Sequence, residues 1–282
     1  MALIPPGFMD CVVSIGTEDA QGNRRWVATG FLYGRLEEVL EDGQKFYRVY
    51  LITNRHVFEG LTKAYLRFNP QADEPARDYE IESLNSEGGN EWTAHPDPEI
   101  DVAIMPIMIK KLREHAMKVS IFQNDVHSVT VGEMRDLGVT EGDFAYVLGF
   151  PMGLVGERRN TVIVRSGTIA RIQDVMRKAN DEFLVDVFVF PGNSGGPVIS
   201  KPEAVTIHGT KASLSARLIG IVKAYVPYQD VALSAQTGRP RVIFEENSGL
   251  AAVHPVDYIE ETIDAYEKAA AAEAQAKENR QG

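Results

Sequence analysis

The stretch FPGNSGGPVI, residues 190–199, places one serine among three glycines and two prolines, and strand-like apolar runs lie on either side of it. Glycine lets the backbone turn tightly and proline interrupts helices, so the stretch is predicted to form an abrupt turn. At such a bend Ser194 can present its hydroxyl to a ligand while neighbouring backbone N–H groups converge on one point, as an oxyanion hole requires. A glycine-rich turn with a solvated serine is the simpler interpretation, because such turns are common in loops.

The composition is that of an ordinary soluble globular protein. The chain has 282 residues, of which 44% are hydrophobic and 24% are charged, and its formal net charge is −11. This length can bury a substantial core, and the negative charge argues against nucleic acid as a partner. The sequence shows no evident signal peptide, no apolar run long enough to span a bilayer and a single cysteine. We therefore expect a cytoplasmic protein with no membrane partner, in which Cys11 is a buried thiol.

Short β-type runs separated by turns make up most of the chain. Strands are predicted at residues 11–15, 26–33, 46–53, 79–84, 101–107, 143–150, 161–172, 183–189, 197–199 and 218–226. Helices are predicted at residues 109–117 and 258–279, and loops over most of 69–98 and all of 227–249. The apolar stripe of the second helix consists of Ile259, Ile263, Tyr266 and Ala270. This pattern indicates an antiparallel barrel or sandwich followed by a C-terminal helix.

A serine hydroxyl becomes an effective nucleophile only when a base removes its proton, and the base needs a carboxylate to orient it. Among the six histidines, His56 is the best candidate because it follows an apolar strand at a strand-to-loop junction. Asp101 is the best carboxylate, since it begins an apolar run and a partly buried carboxylate needs a partner. Asp97 and Glu99 are alternatives in a more exposed, proline-rich context. The order His56, Asp101, Ser194 is that of the chymotrypsin-like barrels.

Three blocks of sequence resemble the signature segments of trypsin/chymotrypsin-like serine proteases. They are residues 52–57 (ITNRHV), 101–104 (DVAI) and 191–197 (PGNSGGP). The blocks that resemble the bacterial Deg (HtrA) subgroup are residues 147–153, 166–169, 218–221 and 249–255. The resemblance implies an all-β fold of two six-stranded antiparallel barrels plus a C-terminal α-helix. The implied boundaries are a protease domain at 1–256, with barrels at about 10–130 and about 131–256, and a helix and tail at 257–282.

The same resemblance implies a serine endopeptidase that acts on a protein or peptide substrate and needs no metal or cofactor. Ser194 would attack the scissile carbonyl, and His56 would take its proton and later give it to the leaving amine. Asp101 would orient the imidazole and stabilise its charged form. The backbone N–H groups of Gly192 and Ser194 would form the oxyanion hole.

The substrate pocket implied by the resemblance is lined near Phe188 and by Lys223, Ala224 and Tyr225. The backbone of the last three residues would pair with an extended peptide as an added strand. No aspartate stands at the base of this pocket, so we expect a small or medium apolar P1 residue. Lys223 occupies a position where related proteases usually have a small residue. Its ammonium is expected to compete with the histidine for Asp101, in which case activity would require a rearrangement or an activating partner.

Two differences from related proteases concern regulation. The PDZ domain that often follows Deg-type protease domains is not expected here, because the C-terminal sequence is a helix. A basic residue followed by Ile-Val-Gly-Gly does not occur near the N-terminus, so activation by removal of a propeptide is not expected.

Two other functions fit parts of the sequence. Residues 192–196 match the G-x-S-x-G elbow of α/β-hydrolases, and Ser194, Asp230 and His254 follow the chain order of that family. That elbow must lead into a helix, however, and two glycines followed by a proline start a helix poorly. The second alternative is a catalytically silent peptide-binding or scaffold protein on the protease fold, which Lys223 supports. Substrate identity, trigger and oligomeric state stay open.

Overall fold

The computed structural model describes residues 3–86, 88–203 and 215–281. The molecule consists of two β-sheets, antiparallel except for one short parallel pair in the first sheet, and a long C-terminal helix. The prediction of a mostly β protein that ends in a helix is confirmed. The division into domains at residue 256 stays a prediction.

The first sheet contains eight strands in the order β5-β4-β1-β2-β3-β7-β6, with β8 paired to β2. The strands are β1 Val12–Glu18, β2 Arg24–Val39, β3 Lys45–Thr53, β4 Lys63–Phe68, β5 Arg77–Glu82, β6 Thr93–Ala94, β7 Ala103–Pro106 and β8 Phe122–Gln123. The family resemblance implied a six-stranded barrel in this half, and the sequence pattern marked five of its strands; the structure has an eight-stranded sheet that does not close. The pattern missed β4, β6 and β8. Strands β6 and β8 have two residues each and pair with β7 and β2, and segments that short have no strand periodicity.

The second sheet is a closed six-stranded barrel in the order β10-β11-β14-β13-β12-β9, as expected. Its strands are β9 Phe144–Gly149, β10 Ile163–Arg171, β11 Phe183–Asp186, β12 Pro197–Ser200, β13 Arg217–Leu233 and β14 Pro240–Pro255. Because the barrel is closed, each of its strands pairs with a neighbour on both sides and the barrel has no edge strand. The candidate serine lies in the connection between β11 and β12.

Residues 227–249 are not the loop that the sequence predicted. They form the outer part of β13 and β14, which pair from Pro227↔Asn247 to Leu233↔Pro240 as a ribbon beyond the barrel. A turn in which Gly238 has φ +66° and donates its N–H to the Ser234 carbonyl closes the ribbon. The ribbon has no buried face, and the sequence prediction depended on a burial pattern, so the strands went unrecognised.

Helices are short except for the last. They are α1 Pro6–Met9, α2 Arg55–Phe58, α3 Ile109–Glu114, α4 Val131–Leu137, α5 Gln173–Met176 and α6 Val256–Gln281. Helix α4 was not predicted, although Thr130 and Glu133 form a capping box at its start and Gly138 ends it at φ 80°. In α6 the face carrying Ile259 and Ile263 is fully buried, whereas the second half of the helix is exposed. None of the helices in the described ranges combines the length and the hydropathy of a membrane-spanning segment.

One apolar core joins the two sheets and α6. Phe31 of the first sheet, Leu148 and Ile221 of the barrel, and Ile259 of the helix belong to the same buried cluster. Cys11 also lies in this cluster, where burial raises the pKa of its thiol well above the usual value, so the prediction of a buried thiol is confirmed. Because protein interiors pack as densely as organic crystals, this shared core fixes the first sheet and the barrel relative to each other.

Candidate active site

His56 and Asp101 form a doubly hydrogen-bonded pair on the first sheet. His56 lies in α2, directly after β3, and Asp101 lies just before β7, the neighbouring strand. The His56 Nδ1–H donates to Asp101 Oδ2 at 2.6 Å, and the His56 backbone N–H donates to Asp101 Oδ1 at 3.1 Å. Burial raises the pKa of Asp101, but the hydrogen bonds and positive charge of His56 outweigh that effect and lower it overall. The carboxylate is therefore ionised at neutral pH and fixes the orientation of the ring.

The main chain of Asp101 is held as firmly as its side chain. Asn54 donates its side-chain N–H to the Asp101 carbonyl at 2.6 Å instead of capping α2, and the Asp101 N–H donates to His254 Nε2 at 3.2 Å. The alternative carboxylates lie elsewhere: Asp97 accepts the Glu99 N–H within the loop, and both side chains are exposed. Of the three carboxylates that the sequence singled out, Asp101 is the one hydrogen-bonded to His56.

Ser194 and His56 line the same cavity, which has a volume of about 180 Å³. The serine sits in the turn between β11 and β12, and the structure places it across the cleft from α2. The other residues that line the cavity are Val189, Phe190, Pro191, Asn193, Val222, Lys223, Ala224 and Tyr225. The cavity therefore combines residues that are far apart in sequence and come from both sheets.

The peptide between Pro191 and Gly192 is oriented by the loop after β9. The Met152 N–H donates to the Pro191 carbonyl at 2.6 Å, and a trans peptide points its N–H opposite to its carbonyl, so the Gly192 N–H faces away from Met152. Within the described part of the chain, neither the Gly192 N–H nor the Ser194 N–H donates a hydrogen bond to protein. Both N–H groups could therefore donate to an anionic oxygen, and their role as an oxyanion hole stays a prediction.

Gly192 must be glycine for two reasons. Its φ is +100°, and a Cβ at this position would lie 2.4 Å from the Phe150 carbonyl oxygen. Thr29 of β2 fixes the same turn from the other side: its Oγ1–H donates to the Gly192 carbonyl at 2.6 Å and its Oγ1 accepts the Phe150 N–H at 3.0 Å. One threonine hydroxyl thus satisfies two buried backbone groups of the barrel.

Asn193 closes the turn from within. The residue is 1% exposed, its Oδ1 accepts the Phe190 N–H at 3.1 Å, and its backbone N–H donates to the Phe190 carbonyl at 2.9 Å. The turn is therefore held by its own side chain together with Thr29 and Met152.

The predicted substrate-pocket residues occupy two different places. Lys223, Ala224 and Tyr225 line the cavity, whereas Phe188 is half-exposed and lies beside that lining, with its ring stacked on Phe190 at a centroid distance of 6.5 Å. The Lys223 ammonium forms an ion pair with Glu182 at 3.0 Å. The expected competition of Lys223 with the histidine for Asp101 is therefore not seen in the contacts.

The elbow of an α/β-hydrolase is not present at Ser194. The serine leads into strand β12 of an antiparallel barrel, Asp230 lies on the exposed ribbon, and His254 is buried beside the Asp101 backbone. Among the described residues, no group of three His, Cys, Asp or Glu side chains is arranged to hold a metal ion.

The sequence analysis did not identify Thr29, Asn54 or Met152 as supports of the site, nor the hydrogen bond by which His254 holds the Asp101 backbone. Thr29 is an ordinary β-forming residue inside a strand, and Met152 acts through its backbone, so no local signal marks either. Asn54 stands two residues before His56, a proximity that could have suggested a supporting role. His254 was noticed, but for the wrong chemistry.

One solved structure, described as the atomic-resolution structure of HBP, aligns with 94% of this chain and 94% of its own length, at 13% sequence identity and a TM-score of 0.46. No curated protein is significantly similar to the chain in sequence. The sequence profile of the trypsin-like peptidase domain matches residues 28–205, well over half of the 282 residues. The matched segment includes His56, Asp101 and Ser194. The chain therefore belongs to the trypsin-like peptidase domain family.

Proposed function

We propose that this protein is a serine endopeptidase that cleaves peptide bonds through Ser194, His56 and Asp101. The observation that carries the proposal is that His56, hydrogen-bonded to an ionised Asp101, lines one cavity with Ser194, whose turn presents two unused backbone N–H groups. A nucleophile, an oriented base and oxyanion donors are the three parts that acyl transfer needs.

The first half of the reaction forms an acyl-enzyme. Because the His56 Nδ1–H is donated to Asp101, Nε2 carries the lone pair and accepts the Ser194 hydroxyl proton as Oγ attacks the scissile carbonyl carbon. The developing oxyanion is stabilised by the N–H groups of Gly192 and Ser194. His56 then gives the proton to the leaving amine, the C–N bond breaks, and an ester between Ser194 and the acyl part of the substrate is left.

The second half restores the enzyme. Water loses a proton to His56 Nε2 and attacks the ester carbonyl, and the same two N–H groups stabilise the second oxyanion. The proton returns from His56 to Ser194 Oγ as the acid product leaves. Throughout, Asp101 stays ionised and balances the charge of the imidazolium.

The cavity favours a small or medium apolar P1 side chain. Val189, Phe190 and Val222 contribute its apolar wall, and the lining includes no carboxylate. We propose that a substrate lies in an extended conformation along Lys223, Ala224 and Tyr225, where its backbone adds a strand to the edge of β13. Cleavage of a peptide library, with mass-spectrometric identification of the cut sites, tests this preference; a majority of cuts after Lys or Arg would contradict it.

A fluorophosphonate probe tests the activity directly. We expect wild-type protein to be labelled at Ser194, and the Ser194→Ala and His56→Ala variants to lose labelling. His115→Ala is the matched control, because His115 is an exposed histidine of the first half that contacts Tyr79 and not the cavity. We expect this variant to be labelled at the wild-type rate.

The same labelling experiment distinguishes an active endopeptidase, a protease gated by a partner and a catalytically silent peptide-binding protein. Labelling of the purified protein supports an active endopeptidase, and labelling only after addition of cell extract supports a protease gated by a partner. Absence of labelling in both conditions would refute the proposal and favour the silent peptide-binding protein. We also propose, from the sequence blocks alone, a Deg (HtrA)-type protease of the bacterial cytoplasm, and cell fractionation tests that location.

A further inference from the structure

His254 is a fully buried histidine at the end of β14 that the proposed chemistry does not use. Its Nδ1 lies 3.0 Å from the Asp181 carbonyl oxygen, and its Nε2 lies 3.2 Å from the Asp101 backbone nitrogen. A carbonyl oxygen can only accept, so Nδ1 carries the proton. Nε2 then has a free lone pair and accepts the Asp101 N–H. The two contacts together define a neutral imidazole in one tautomer.

We propose that His254 is a positioning residue for Asp101, an inference that rests on the proposed endopeptidase function. Asp101 lies in the connection that precedes β7, outside the strand ladder, so its backbone groups need other partners. The carbonyl is held by Asn54, the carboxylate by His56, and the N–H by His254. Removal of His254 leaves the Asp101 N–H without its acceptor, so the backbone of Asp101 is held by one contact fewer and its carboxylate meets the imidazole of His56 in a less fixed geometry.

The surroundings of His254 hold it in place. Tyr258 of α6 packs edge-on against its ring at a centroid distance of 5.7 Å and donates its hydroxyl to Asp181 Oδ1 at 2.8 Å. The charged groups that act on it are Asp101, Glu182 before β11, and Lys223 of β13, which is paired with Glu182. The position of Asp101 therefore depends on the barrel and on the docking of the C-terminal helix.

Protonation of His254 would reverse the contact. A second ring N–H would face the Asp101 N–H, and two donors cannot bond to each other. Burial lowers the pKa of His254 and the charge of Lys223 lowers it further, while the Asp181 carbonyl and the two carboxylates raise it. The net effect is a pKa below the usual 6.5, so the contact persists at neutral pH. It is lost as the pH falls through this lowered pKa of His254.

Two substitutions separate positioning from packing. His254→Leu keeps an apolar volume but removes the acceptor, and we expect kcat for a peptide substrate to fall about tenfold with little change in KM, as for loss of one hydrogen bond at the reacting geometry. His254→Gln offers a side-chain oxygen as acceptor and should recover most of that loss. His127→Leu is the matched control, because His127 Nδ1 likewise accepts a backbone N–H, from Gln123, at 3.0 Å. We expect that variant to lose stability without a fall in kcat.

A structural readout keeps the inference testable whatever the enzyme does. In His56→Ala protein, long-range ¹H–¹⁵N NMR should show His254 as the Nδ1–H tautomer, and the Asp101 amide resonance should shift with the protonation of His254. If wild type is not labelled by the fluorophosphonate, the proposed function fails while this spectrum still tests the contact. Two results would overturn the inference: a kcat equal to that of wild type in folded His254→Leu protein, or an Asp101 amide resonance that stays unchanged as His254 is protonated.

Discussion

Replacement of Gly192 by alanine should abolish most of the activity through a clash that the structure locates. The added Cβ would lie 2.4 Å from the Phe150 oxygen and 3.0 Å from the Met152 nitrogen. Ordinary contacts begin at 3.4 Å, so the Phe150 carbonyl and Gly192 must separate by about 1 Å. That separation disturbs the hydrogen bond from Met152 to Pro191, which orients the Gly192 N–H.

Two terms give the magnitude. Loss or misorientation of one oxyanion donor lowers kcat by about 10²–10³, and a misplacement of about 1 Å at a reacting centre has an effect of similar size. We therefore expect the rate of fluorophosphonate labelling of Gly192→Ala to fall by at least about 100-fold. The left-handed backbone adds a cost in the free energy of unfolding of about 1–2 kcal/mol, because φ is +100° at this position.

Gly138→Ala provides the control for backbone strain. Gly138 has φ +80°, and a Cβ there would meet nothing within 4 Å. Both variants should lose stability in urea denaturation, but only Gly192→Ala should lose labelling when rates are compared per folded molecule. Equal labelling rates for the two variants would show that the Gly192 N–H is not an oxyanion donor.

Three further predictions concern stability. Thr29→Val removes the hydroxyl shared by Gly192 and Phe150, so the free energy of unfolding in urea should fall by roughly 2–6 kcal/mol, whereas Thr29→Ser should keep most of it; equal losses would contradict the shared role. Backbone N–H groups of Ile172 and Gln173 lower the pKa of Glu141 to about 2. The ionised carboxylate therefore stabilises the fold above its ordinary pKa of 4.5, and this contribution should be lost as the pH falls toward 2. In Glu141→Gln protein, the melting temperature should depend less on pH between these two values than in wild type. Ile263→Ala should cost about 2–5 kcal/mol in thermal or urea unfolding because the side chain is fully buried, whereas truncation after Ala272 should cost less than about 0.5 kcal/mol.

The sequence predicted the parts of the molecule whose signal is local. The turn around Ser194, the position of His56 after a strand and the apolar stripe of α6 all follow from short-range rules. The closed barrel was inferred from family resemblance, because the pairing order of strands has no signature within any single strand.

The remaining parts depend on contacts between residues far apart in the chain. The ribbon of residues 227–247 was missed because both of its faces are solvated, so apolar and polar positions follow no single pattern. The prediction that Lys223 would lie near Asp101 was wrong for a related reason, since Lys223 pairs with Glu182 instead. Glu182 lies in the connection before β11, and no rule of sequence spacing places it beside Lys223. His254 shows the same limitation, because its role comes from its proximity to Asp101 across the interface between barrel and sheet.

The separation of the candidate nucleophile and base is set by contacts between the two halves. Thr29 donates its N–H to the Ser194 carbonyl at 3.0 Å, and its own carbonyl accepts the Thr53 hydroxyl at 2.9 Å, three residues before His56. Gly195 approaches the same point so closely that a Cβ would lie 2.1 Å from the Thr29 oxygen and 2.3 Å from Thr53 Oγ1. The glycine beside the serine is therefore required by the first sheet as much as by the turn of the second. Because the serine and the histidine are tied to the same pair of threonines, any change that moves these strands apart must also lengthen the path of the proton.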